Sequence, residues 1–156
     1  EKIRSKGDTI TIGILGKDPF GDDIKPIEGL SMMGKRISVK RYRKFDPNED
    51  YSACWVIFIC DSERRKQKEI LDALKDKPIL TIGDNTDFLD LGGMINFTPV
   101  SFKIRYDINQ AASHAVGVRI RSALLSSARN VIRKEDKNSK KEVNARIENG
   151  DVNHEQ

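Results

Sequence analysis

The stretch Ala53–Cys60, ACWVIFIC, is apolar at every position. A strand of that kind belongs where both faces are covered, in the middle of a largely parallel sheet. Read by alternation, Trp55, Ile57 and Ile59 take one face and Cys54, Val56, Phe58 and Cys60 the other. Around it, TITIGIL at 9–15 reads as a first strand, 36–42 as a half-polar second and PILTIG from Pro78 as a fourth. Ser62 is placed to cap a helix through about Lys75, with Ile70, Leu71 and Leu74 inward. The link between the first two strands is less regular. Phe20, Ile24 and Ile27 have helical spacing, but Pro26 lacks an N–H and ends or kinks a helix there. Strands alternating with helices in this way make βαβ units.

The segment Gly92–Leu125 closes the fold. Two glycines lead into an apolar strand at Met94–Phe97, and Pro99 marks a turn. A second strand then alternates: Phe102, Ile104, Tyr106 and Ile108 point to the core, Lys103, Arg105, Asp107 and Asn109 to water. Asn109 can cap the helix that follows, whose side chains Ala111, Ala112, Ala115 and Val116 are small. After Gly117, the stripe Ile120, Leu124, Ala128 and Val131 reads as a second helix. The expected fold is therefore α/β, three-layer and Rossmann-like, with a mostly parallel sheet and an antiparallel C-terminal hairpin. Residues 1–132 make one domain and 133–156 a polar, mobile tail, with Val143 and Ile147 its only helix-like pair.

Charge excludes some partners. The net +4 lies wholly in the body, because from Arg133 onward six basic residues face six acidic ones. The dense run KRISVKRYRK at 35–44 carries a single aromatic, Tyr42, and reads as a solvated edge strand rather than a nucleic-acid surface. No apolar run approaches the roughly 20 residues of a membrane span, so no direct membrane insertion is expected. The chain begins at Glu1 and reads as a processed or trimmed product. Cys54 and Cys60 lie about 20 Å apart along one strand, too far for a disulfide between them, and read as buried thiols.

Motifs for catalysis are missing. The turn G-K-D-P-F-G lacks the Lys-Ser/Thr of a phosphate-binding loop, and no G-x-G-x-x-G follows a strand. Asp61 ends a central strand as the phospho-acceptor of a receiver domain does, but the first strand runs into Leu15-Gly16-Lys17 without an acidic pair, and no lysine follows Ile95-Asn96. His114 and His154 have no nucleophile or metal ligand at a useful spacing, so neither catalytic residue, metal nor cofactor is assigned. The carboxyl ends of the strands put Gly16, Asp61, Ser62 and Asp84 together as a candidate pocket for a small polar ligand, or as ordinary turn residues.

The ordered series GGMINF, RYDIN, a run of alanines and G-x-x-I-x-S-x-LL resembles the closing signature of the YfiR-like exported regulators. The resemblance extends back to TIGILGKDPF and covers about four fifths of the chain. It implies a periplasmic, non-enzymatic protein that binds the periplasmic domain of an inner-membrane diguanylate cyclase, or a related sensor, and represses it. Less cyclic di-GMP and less biofilm would follow; a homodimer is a second mode of association. It puts the partner surface near the closing signature, at Gly92, Gly93, Lys103, Arg105, Asp107, Asn109 and Ser113. Relatives carry an extra helix before the first strand, where only EKIRSKGD stands here, and trimming it would expose an apolar groove. They also carry a longer helix between the first two strands, a serine at Arg121 and Lys-Leu at Ser126–Ser127. The competing reading is a small-molecule-binding sensory domain of a larger membrane receptor.

Overall fold

The apolar strand lies at the middle of its sheet, as its composition requires. A computed structural model describes residues 7–134, so from Glu135 onward the expected tail lies outside the described residues. The strands are β1 Thr9–Leu15, β2 Ser31–Met32, β3 Lys35–Tyr42, β4 Cys54–Ile59, β5 Leu80–Gly83, β6 Ile95–Val100, β7 Lys103–Asn109 and β8 Asn130–Ile132. They form one mixed sheet in the order β2-β3-β1-β4-β5-β6-β7-β8. Pairing is parallel from β3 through β1, β4 and β5 to β6, antiparallel for β2–β3 and β6–β7, and parallel again for β7–β8. The fold class is that expected, α/β with an antiparallel pair.

One face of the sheet is closed by α1, Gln67–Leu74. Ile70, Leu71 and Leu74 pack there on Leu15, Ile57 and Ile59, and burying each such side chain contributes about 1.5–3 kcal/mol. Ser62 is not its cap. A 3-10 turn, Asp61–Lys66, precedes the helix, and the Ser62 hydroxyl instead accepts a hydrogen bond from Lys17 N–H at 2.8 Å.

Among the described residues the other face is covered only at its two ends. A 3-10 turn at Gly21–Ile27, kept short by Pro26, lays Ile24 and Phe20 over Ile14 and Phe58. At the far end, α2 (Gln110–Ala115) and α3 (Ser122–Ser127) cover β5 to β8 through Ala112, Val116 and Leu125. We call this the open face.

Four expectations need correction. The register shifts between Thr11, opposite Cys54, and Ile12, opposite Val56, so Trp55 is the extra residue of a bulge. Cys54 therefore packs with Ile57 and Ile59, while Trp55 joins Val56 on the open face. The 36–42 segment is not the sheet edge, because the two-residue β2 pairs outside it. Pro99 does not turn the chain: β6 runs on to Val100, and the turn is Ser101–Phe102. The helix expected through Val131 stops at Ser127, where the backbone goes extended at Ala128 (φ −68°, ψ 144°). Within that short helix the Ser126 hydroxyl donates to Ser122 C=O, a bond that weakens helices, and Asn130–Ile132 then pairs with β7.

Candidate functional site

The closing segment is built on buried polar side chains. Asn109 is fully buried and satisfied: its backbone N–H reaches Met94 C=O, its side-chain oxygen accepts from Ala112 N–H at 3.1 Å, and its Nδ2 donates to Leu89 C=O. It caps α2 as expected. Ser113, equally buried, donates to Gln110 C=O. Gly93 is buried against the Phe88 ring, which also lies 2.5 Å from where a Cβ on Gly83 would stand, so both glycines make room for a fully buried Phe88. Gly92 adopts φ 105° and is exposed. Asn109, Ser113 and Gly93 thus support the surface from beneath and present none of it.

Asp107 faces away from the helices, yet it is not free. Arg129 Nε and Asn130 Nδ2 donate to its Oδ1 at 3.0 and 3.1 Å, and a second guanidinium nitrogen meets Oδ2. The Arg129 hydrogen bond holds the Asp107 carboxyl below the usual carboxylate range, against the opposing effect of burial. This clasp fixes β8 to β7.

Lys103 and Arg105 are exposed on the hairpin end, beside two residues expected in the core. Phe102 is 111% exposed and Ile104 66%. The reason is the two-residue turn: Ser101 and Phe102 have φ 47° and 65°, the pattern of a type I′ hairpin turn. Each left-handed L-residue costs about 1–2 kcal/mol. Beyond the turn the strand reaches the core only with Tyr106, half-buried, and Ile108, wholly so, and Asn109, expected in water, is buried as well; β5 pairs only with Ile95 and Asn96 and β8 only with residues 107–109. Ile104 has left the covered part of the sheet.

Gly16, Asp61, Ser62 and Asp84 do converge at the carboxyl end of the central strands. Gly16 (φ 107°) stands so close to Ser62 that a Cβ would lie 2.5 Å from its Oγ. Burial, then the charge of Asp61, raises the Asp84 carboxyl above its ordinary value. Burial likewise pushes the Cys60 thiol up to about 12, helped by Asp84, Asp18 and Glu63. Two like-charged carboxylates beside an inert thiol make a poor seat for an anion. Among the described residues no group of three or more His, Cys, Asp or Glu is arranged to hold a metal ion.

Two apolar hollows lie on the open face, away from every residue named from the sequence as a candidate site. One hollow of 430 Å³ is floored by Ile12, Val56, Phe58, Ile82 and Phe97. A second, 650 Å³, is bounded by Met32, Met33, Trp55, Leu80 and Val118, and Val56 belongs to both. Trp55 Nε1 is buried there with no acceptor among the described residues. Leu30, Met32 and Met33 stand exposed on the neighbouring β2 side. The alternation of β1 and β4 showed apolar side chains on this face; that the intervening link is too short to cover them is a tertiary fact.

A family model described as YfiR/HmsC-like matches residues 2–129. The chain belongs to the YfiR/HmsC-like family. No curated protein matches it. Among solved structures, an ABC domain in complex with L-Trp from Streptococcus pneumoniae is 13% identical with a TM-score of 0.55, covering 79% of this chain and 55% of that one. A conserved domain protein from Vibrio cholerae is 14% identical with a TM-score of 0.52, covering 78% and 54%. The chain spans about half the length of both, and at such identities the likeness is one of fold.

The YfiR/HmsC-like match takes in β1 to β7 with α2 and α3, so every residue of the closing series lies inside it. Arg121, Ser126 and Ser127, where the resemblance implies other residues, are all exposed at the ends of α3. Among the described residues no helix is long and apolar enough to cross a membrane.

Proposed function

We propose that this YfiR/HmsC-like domain acts in the periplasm by binding an inner-membrane diguanylate cyclase and repressing it, so that less cyclic di-GMP is made and biofilm formation falls. The observation that carries this reading is the family match over residues 2–129. The contact we favour is the apolar channel made by the two adjoining hollows of the open face: isolated exposed hydrophobics are ordinary, whereas grouped ones beside an indole N–H with no acceptor among the described residues suit a partner. The partner would supply apolar side chains to the channel and one acceptor to Trp55 Nε1. The test is cyclic di-GMP in cells exporting the full chain. Its level falls if the reading holds; an unchanged level, or turnover of nucleotides by the purified protein, contradicts it.

The second reading, a small-molecule sensory domain, is favoured by the same channel. A ligand with an aromatic or aliphatic body and one acceptor would fit it, and a domain of similar fold has been crystallised with L-Trp. Calorimetric titration with L-Trp tests that site: a saturable heat favours the sensor, and no heat disfavours it for that ligand.

A further inference from the structure

We propose that the β6–β7 hairpin end is a peripheral docking element for an anionic lipid surface. Three residue pairs, Thr98–Arg105 to Val100–Lys103, run past the ends of both neighbouring strands, a projection of roughly 10 Å. The projecting end is amphipathic. Residues directly opposite share a face, so Pro99 and Ile104 lie on one side and Thr98, Arg105, Val100 and Lys103 on the other. Phe102 forms the apex with its whole side chain in water. From Leu91 to Tyr106 the sequence holds no acidic residue, while Lys103 and Arg105 are both exposed.

An apolar apex beside a cationic face matches the boundary between acyl chains and anionic headgroups, where amphipathic elements sink about 5–10 Å. A protein pocket is the weaker match. The end comprises only residues 98–105, against the 20–30 residues a side of a stable protein interface, whereas a bilayer accepts any depth of insertion. The turn sequence agrees with a role outside the fold. Asn-Gly would satisfy two positive φ angles without strain, yet Ser101-Phe102 stands there. The run-length criterion that excluded membrane insertion does not register a contact made by one aromatic tip. The inference requires no protein partner and is independent of the cyclase reading.

The test is co-sedimentation of the full chain with vesicles of phosphatidylglycerol and phosphatidylethanolamine, and separately of phosphatidylcholine, alongside melting curves. The wild type is expected to pellet with the anionic vesicles only, and less so as salt is raised. Phe102→Gly should lower that partition about tenfold while raising Tm, because glycine relieves the left-handed strain. Opposite signs in the two readouts separate a docking role from a folding defect. Lys103→Gln with Arg105→Gln should lower the partition about thirtyfold. Wild-type protein that stays in solution with anionic vesicles overturns the proposal, as does a Phe102→Gly variant that pellets like wild type. If vesicles are ignored and Phe102→Gly instead weakens binding of a soluble protein domain, the tip belongs to a protein interface and the proposal fails.

Discussion

Asp107 illustrates how far a single residue can be read. Alternation places it in water, but its side chain is only 13% exposed, and its partners, Arg129 and Asn130, come from a stretch that reads as helix. Its role changes accordingly, from an open contact to the pin of β8. Asp107→Asn keeps the shape and removes the charge. Because the folded-state pKa is depressed, the stability from this carboxylate is present above the unfolded value of about 3.9 and is lost as pH falls through the folded one. The variant should therefore melt several degrees below wild type near neutral pH, and the gap should narrow as pH falls below about 3.9 and through the lowered folded-state pKa. Cys60 has the opposite sign. A thiol raised from 9.0 to about 12 favours the folded state fully below pH 9, and that contribution disappears as pH rises toward 12. At about pH 8, Cys60 should react with iodoacetamide only after denaturant is added. Rapid labelling of the native protein would contradict its burial at 2% exposure.

At the scale of elements, what was legible depended on local signals. The uniformly apolar β4, the inward stripe of α1 and the Asn109 cap each follow from a few neighbouring residues, and each is present. The hairpin turn was hidden because Ser101-Phe102 carries neither the glycine nor the asparagine that announces two positive φ angles, and Pro99 drew the turn to itself. β8 was hidden because Ile120, Leu124, Ala128 and Val131 mimic a helical stripe across a chain that bends at Ala128. The bulge at Trp55 was invisible to alternation, which it interrupts. It leaves an indole N–H without an acceptor among the described residues. Trp55→Phe removes that donor with little loss of volume, so it should leave the urea midpoint unchanged or raise stability by up to about 1 kcal/mol. A loss of 2 kcal/mol or more in equilibrium unfolding would show that the indole N–H is satisfied in the whole chain.

For the whole molecule, the sequence carried the layer order further than the site. The α/β class and the closed face follow from which strands are apolar on both sides. The open face does not, because its exposure depends on how little the Gly21–Ile27 turn reaches over it. Gly16, Asp61, Ser62 and Asp84 lie together at the carboxyl ends of the strands, whereas the two apolar hollows lie on the sheet itself. The central claim is a protein that works by binding, and calorimetry tests it most directly. The full chain should be titrated with the purified periplasmic domain of a diguanylate cyclase from its own cell. A saturable heat at a fixed stoichiometry, weakened at least tenfold by Val56→Lys in a variant whose circular dichroism is native, is the predicted result. Absence of binding by folded wild-type protein to every such domain of that cell would contradict the account.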